Sequence, residues 1–143
     1  MTLALNAQEV MDYLAEVFPQ VRDDFAIDAV TETTLRMRLL TDERHLRPGG
    51  TVSGPSMFAL ADCAVYAMVL ARVGRKALAV TTSCSFDFMR KPAAGADLIA
   101  ECRLLKLGRV LAVGEVLVFS AGADAPAARA SLTYSIPPKA LRP

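Results

Sequence analysis

The chain has a single histidine, His45, and three cysteines, Cys63, Cys84 and Cys102, with no C-x-x-C pair among them. An odd set of thiols without that spacing argues against a disulfide framework and against the common zinc sites. Each cysteine lies within an apolar run, so all three read as small core hydrophobes in a reducing compartment. A catalytic thiol would want a histidine partner, and His45 is distant from every cysteine in sequence. An excess of charge is also missing. Sixteen Lys and Arg against fifteen Asp and Glu leave a formal net charge of +1, so no broad field points to nucleic acid or an anionic membrane. No basic region followed by an apolar core opens the sequence, so no secretory leader is expected and the cytoplasm is the expected location.

Apolar residues are abundant, at 53%, above the ordinary globular share. At 143 residues the chain is one domain's worth, expected to run over 1–143. A monomer this apolar must bury an unusual amount or share surface with a second copy.

Asn6 followed by Glu9 is a capping-box variant, and Val10, Met11, Leu14, Val17 and Phe18 recur at helical spacing up to Pro19. Thr33, Leu35, Met37 and Leu39 alternate with Thr34, Arg36 and Arg38 as in a half-buried strand. Residues 25–30 read as its hairpin neighbour or as an irregular lead-in. Residues 41–53 are polar and turn-rich around Pro48-Gly49-Gly50; long ordered loops of this kind are often functional. A long helix is expected over 55–73, opened by Pro55 at its first position and closed by Gly74. Its apolar stretch, 55–70, carries Asp62 in the middle and is shorter than the ~20 residues a membrane span needs, so a buried helix is expected. Four strand-like runs follow, over 77–88, 98–107, 110–119 and 127–136, and consecutive strands joined by short turns are expected to pair as a meander. The tail, 137–143, is expected to fray. A helix apolar nearly all round must be covered on most sides, and one curved antiparallel sheet wrapping it satisfies this. The expected class is α+β, the hot-dog arrangement.

Asp62 stands alone in this helix. Met57, Phe58, Leu60, Ala61, Cys63, Ala64 and Val65 around it are apolar, and ionised Asp is rarely buried without partners. One reading makes Asp62 a wet position with no chemical role; an isolated carboxylate in such surroundings also reads as a general base or nucleophile. The helix start supplies a second element. Ser53-Gly54-Pro55 precedes it, N–H groups there carry partial positive charge, and Pro55 has none, so Gly54 is an available donor for a developing oxyanion. Ordinary capping by Ser53 is the plainer alternative.

The segment Thr51-Val52-Ser53-Gly54-Pro55-Ser56-Met57-Phe58-Ala59-Leu60-Ala61-Asp62 resembles the signature of the 4HBT hot-dog thioesterases, in particular the phenylacetate-degradation (PaaI) type, which reads His-Gly-Gly, six residues, then Asp. Ser83-Cys84-Ser85-Phe86-Asp87-Phe88-Met89-Arg90 is similar to the family's strand ending in Asp-Phe-Leu-Arg-Pro. Ala94-Gly95-Ala96-Asp97 and Gly108-Arg109 match its turns. The resemblance spans roughly residues 25–136 and implies an acyl-CoA thioesterase. It puts Asp62 on the catalytic carboxylate and Gly54 on the backbone N–H that polarises the thioester carbonyl. Thr82, or alternatively Thr81, falls near a hydroxyl that orients the attacking water. Arg90, Lys91 and Arg109 fall where basic groups meet CoA phosphates. Ser53 stands in place of the family's His, where it can still donate a hydrogen bond, and Pro55 in place of its second Gly. Arg47 lies near the position of an Asn that helps hold the carbonyl. Met57, Phe58 and Phe88 are expected to line an apolar pocket. The resemblance implies no metal and no cofactor, CoA being part of the substrate, and a homodimer or dimer of dimers.

The alternatives are a non-catalytic acyl-CoA binder, which the altered Ser53-Gly54-Pro55 would suit, and a hot-dog hydratase or dehydratase, for which His45 is the only candidate base. Spacing also bears on assembly. Gly54 and Asp62 are eight residues apart, roughly 12 Å along a helix axis. Both must converge on one carbonyl, within about 3–3.5 Å of the reacting atoms. Two such helices antiparallel about a two-fold axis achieve this with Asp62 of one facing Gly54 of the other.

Overall fold

The computed structural model describes residues 3–138; most of the tail expected to fray, 139–143, lies outside them. Helix α1 (Ala7–Val17) begins with both halves of the expected capping box, Glu9 N–H donating to Asn6 and Asn6 N–H to Glu9. It buries Val10 and Leu14. Strands β1 (Phe25–Val30) and β2 (Thr34–Leu39) form an antiparallel hairpin, so residues 25–30 are the hairpin neighbour. In β2 the inward residues Leu35, Met37 and Leu39 are buried, as the alternation requires.

Helix α2 (Gly54–Val73) ends at Gly74, whose φ of 94° is a left-handed conformation suited to glycine. It is long and apolar enough to cross a membrane, but 67% of its apolar window is buried inside the fold, as for the core helix of a soluble domain. The remaining strands are β3 (Val80–Phe88), β4 (Leu98–Leu107), β5 (Leu111–Ser120) and β6 (Ala128–Ser135). They form one antiparallel sheet in the order β1-β2-β4-β5-β6-β3, wrapped around α2. This is the hot-dog fold.

The expected four-strand meander is corrected here. Only β4, β5 and β6 pair in sequence; β3 pairs with β6 at the far edge. The burial of each strand explains the order. β4 and β5 carry fully buried inward residues, whereas β3 is exposed at seven of its nine positions and is suited to an edge. β4 pairs with β2 instead, where Arg36 meets Glu101 at 2.6 Å on the outer face. Cys84, expected in the core, is exposed on β3; Cys63 and Cys102 are buried.

Small buried residues on β5 and β6, Ala112, Gly114, Ala128 and Ala130, lie on the inward face of the sheet among larger ones such as Val116 and Leu132. Gly114 has the least room. A Cβ there would lie 3.1 Å from both methyls of Val65, a β-branched side chain on a helix with little rotamer freedom. Gly114→Ala is therefore expected to destabilise the fold by about 1–3 kcal/mol. Val65→Ala in the same chain should restore part of that loss, as read by denaturant unfolding.

Candidate active site

Asp62 sits on the inner side of an incomplete cover. Pro55, Phe58 and Ala59 are exposed and Asp62 is half-buried, and their spacing puts all four on one face of α2. The rest of the helix from Leu60 to Ala71 is buried. The uncovered stripe is thus apolar except for one carboxylate.

That carboxylate is held from one side. Thr81 Oγ1 donates to Asp62 Oδ1 at 2.5 Å and the Tyr134 hydroxyl donates to the same oxygen at 2.8 Å, with a second contact to the Asp62 carbonyl at 3.1 Å. No partner is made to Oδ2 among the described residues. Burial, and then the Asp62 charge, push the Tyr134 phenol well above its ordinary range, so it stays protonated and donates. The same two causes push the neighbouring Cys63 thiol up to about 12, which leaves it inert as a nucleophile. Two donors on one oxygen fix the carboxylate plane and leave the other oxygen available.

Thr81, the alternative, is the threonine that reaches Asp62. Thr82, preferred in the sequence, donates to the Thr133 carbonyl at 3.3 Å. The β3–β6 register shifts between Thr81 and Ser83, and this bulge at Thr82 resets which residues face the helix. Tyr134 was not anticipated. Its signal was available: it continues the buried series Ala128, Ala130, Leu132 on β6, and a buried Tyr hydroxyl needs a partner.

Asp62, Thr81, Tyr134, Tyr66, Ala79 and Phe18 line a cleft of about 340 Å³. Gly54 lines a different one, of about 580 Å³, with Arg47, Met57, Phe88, Arg90 and Lys91. The Phe88 ring lies 3.4 Å from where a Gly54 Cβ would stand. As the first residue of α2, Gly54 has an N–H without an intrahelical acceptor. Ser53 is used as the cap, its Oγ accepting from Ser56 N–H at 3.3 Å and donating to Ser56 Oγ at 3.1 Å. This is the capping role that the sequence offered as the plainer alternative, and the hydroxyl still donates. Arg90 donates to the Pro126 carbonyl, which ties the strand end to the β5–β6 turn.

Two of the expected substrate contacts lie outside both clefts of the single chain. Phe58 lines neither cleft; it is 38% exposed and packs against Phe86 with ring centroids 6.0 Å apart. Arg109 lies in the β4–β5 turn, at the other end of β4 from the Gly54 cleft, because β4 runs ten residues, about 33 Å, between the two.

If Tyr134 orients the carboxylate, Tyr134→Phe should lower turnover by about 10- to 10²-fold, the usual worth of a hydrogen bond to a charged group, with KM little changed. Steady-state kinetics read both.

No curated protein sequence matches the chain. Among solved structures, a candidate thioesterase from Silicibacter sp. TM1040 is 62% identical over 96% of both chains, with a TM-score of 0.91. A mutant of the phenylacetic acid degradation protein PaaI from Thermus thermophilus is 26% identical over 83% of this chain and 99% of its own, with a TM-score of 0.71. A hypothetical thioesterase from Streptococcus pneumoniae TIGR4, solved with coenzyme A, shares the fold at 15% identity, covering 90% of this chain and 97% of its own, with a TM-score of 0.75. The thioesterase superfamily (4HBT) model matches residues 49–127, which span the start of α2, Asp62, Thr81, Arg90 and Lys91, and the chain belongs to that superfamily.

Proposed function

We propose that the protein hydrolyses an acyl-CoA thioester to the free acid and CoA. The observation that carries this reading is the carboxylate of Asp62, fixed through Oδ1 by Thr81 and Tyr134 and open at Oδ2. Oδ2 takes a proton from water as that water attacks the thioester carbonyl, or attacks the carbonyl itself. The Gly54 N–H donates to the oxygen on which negative charge develops. The thiolate leaves with little need of an acid, so a histidine is not required. His45 lines neither cleft, which weighs against the hydratase reading.

In this proposal the working unit is a homodimer. Asp62 and Gly54 open into separate clefts of one chain, on one rigid helix. Antiparallel pairing of two α2 helices about a two-fold axis covers the apolar stripe of Pro55, Phe58 and Ala59 and brings each Asp62 to the partner's Gly54. β3 is the natural seam, because its outer edge has no strand partner among the described residues and Val80, Phe88 and the adjoining Leu78 and Met89 are exposed.

Arg47, Arg90 and Lys91 border the Gly54 cleft and supply donors for CoA phosphates. The Streptococcus pneumoniae relative solved with coenzyme A supports this ligand class. The test is release of free thiol from a panel of acyl-CoAs. At least one should turn over, and none doing so would end the reading. Arg90→Ala and Lys91→Ala should each raise KM for the CoA ester while leaving short thioesters without the nucleotide unaffected. Arg109→Ala, outside that cleft, should show the smaller discrimination. Equal effects on both substrate types would remove these residues from the CoA site.

A further inference from the structure

The only histidine is buried, bonded on both ring nitrogens, and unused by the chemistry above. His45 is 6% exposed. Its Nδ1 accepts the Asp42 N–H at 2.9 Å, so the ring proton is on Nε2, which faces Asp24 Oδ1 at 3.0 Å. Asp24 is fixed in turn, its carbonyl taking the Leu40 N–H at 2.7 Å and its carboxylate pairing with Arg44. The charged groups around the ring are Asp24, Asp42 and Arg44, and Arg44 also bonds Asp42 at 2.7 Å. The backbone of the same histidine reaches the site. Its carbonyl accepts the Ser53 N–H at 2.8 Å, one peptide before Gly54. A bridge between Leu46 and Val52 and the Arg47 N–H donating to the Thr51 carbonyl at 2.9 Å extend that contact into a small ladder.

We infer that His45, anchored by Asp24, is a positioning residue that sets the direction of the Gly54 N–H. The inference rests on the thioesterase reading of Gly54. The physical argument is one of stiffness. Residues 41–53 would otherwise be a long polar loop with two adjacent glycines, Gly49 and Gly50, and a donor at its end would wander. An oxyanion donor is effective only when it is aimed before the charge develops. The ring converts a fixed point at the entry to the sheet, Asp24, the residue before β1, into a fixed point beside Ser53, using a turn of Glu43–His45 that Asp42 caps. The capping arrangement normally carries Glu or Gln at this position. His supplies the same acceptor and adds a donor toward Asp24.

That chemistry defines the test. His45→Leu keeps the bulk and loses both bonds. His45→Gln can restore both, its oxygen accepting from Asp42 and its nitrogen donating to Asp24. With the best acyl-CoA, His45→Leu should lower kcat by about 10- to 10²-fold at nearly constant KM, the scale of a small misplacement in a catalytic geometry. His45→Gln should recover most of it. Hydrogen exchange supplies a readout independent of turnover. The Ser53 amide should lose protection in His45→Leu and regain it in His45→Gln, while amides of β4 and β5 stay protected. If His45→Leu does not fold, Asp24→Ala, at a partly exposed position in the turn before β1, decides by the same two measurements. Wild-type kcat in His45→Leu, equal losses in the Leu and Gln variants, or an unaffected Asp24→Ala would overturn the inference. A parent chain inert toward every acyl-CoA would instead count against the thioesterase reading, and the Ser53 exchange would still decide whether His45 anchors the turn.

Discussion

Asp62→Asn is expected to fold like the parent chain and to lose turnover of its best acyl-CoA by roughly 10²–10⁴-fold if Asp62 is a base, and by more if it is the nucleophile. The structure explains why the fold should survive. Thr81 and Tyr134 both donate to Oδ1, and an asparagine carbonyl oxygen accepts both bonds. The amide nitrogen then occupies the open side, where a proton acceptor is required and only donors are offered. The two hydroxyls thus enforce the wrong orientation for residual activity. Near-parental hydrolysis by a folded variant would remove Asp62 from the chemistry. Unfolding of the variant would mean that the half-buried charge is structural, the Thr81 and Tyr134 hydroxyls needing a carboxylate rather than an amide oxygen between them.

The second large effect is expected from mixing two dead chains. Asp62→Asn removes the carboxylate, and Gly54→Leu fills the cleft beside Phe88 while leaving Asp62 intact. Each homodimer should be inactive. A dimer of one chain of each kind has one site with both defects and one with neither, so a statistical mixture should recover about one quarter of the parental rate. Native mass spectrometry verifies the mixed species. No recovery in verified mixed dimers, or full activity in a monomer by light scattering, would sink the shared site. The quantity is large because the baseline is near zero.

The two predictions rest on parts of the molecule that were unequally legible in the sequence. Helix α2 was readable because every local signal agreed, from Pro55 at the start to Gly74 at the end, with Asp62 conspicuous among apolar neighbours. β4 was readable to the residue. The place of β3 was not, because an edge strand and a central strand are told apart by which long-range partner each finds, and adjacency in sequence is only a prior. The same limit hid the carboxylate's partners. Thr81 and Thr82 are indistinguishable in composition, and the bulge that separates them is a property of the β3–β6 register. Tyr134 lies 72 residues from Asp62 and reads locally as one more apolar strand position. The resemblance carried the ends of the site, Gly54 and Asp62, but the fine geometry required the sheet.

The sheet order also has a kinetic meaning. β3 pairs with β6 rather than with the strand that follows it, and about 40 residues separate their facing ends. At 5–20 residues per second a nascent β3 waits roughly 2–8 s for its only neighbour in the sheet to be synthesised. During that interval α2 lacks one wall, and a nine-residue strand has both edges unpaired. Because Thr81 belongs to β3 and Tyr134 to β6, the orientation of Asp62 waits on the same pairing. A nascent chain halted before Tyr134 would carry the Asp62 carboxylate and the Gly54 turn without the second hydroxyl that holds Oδ1.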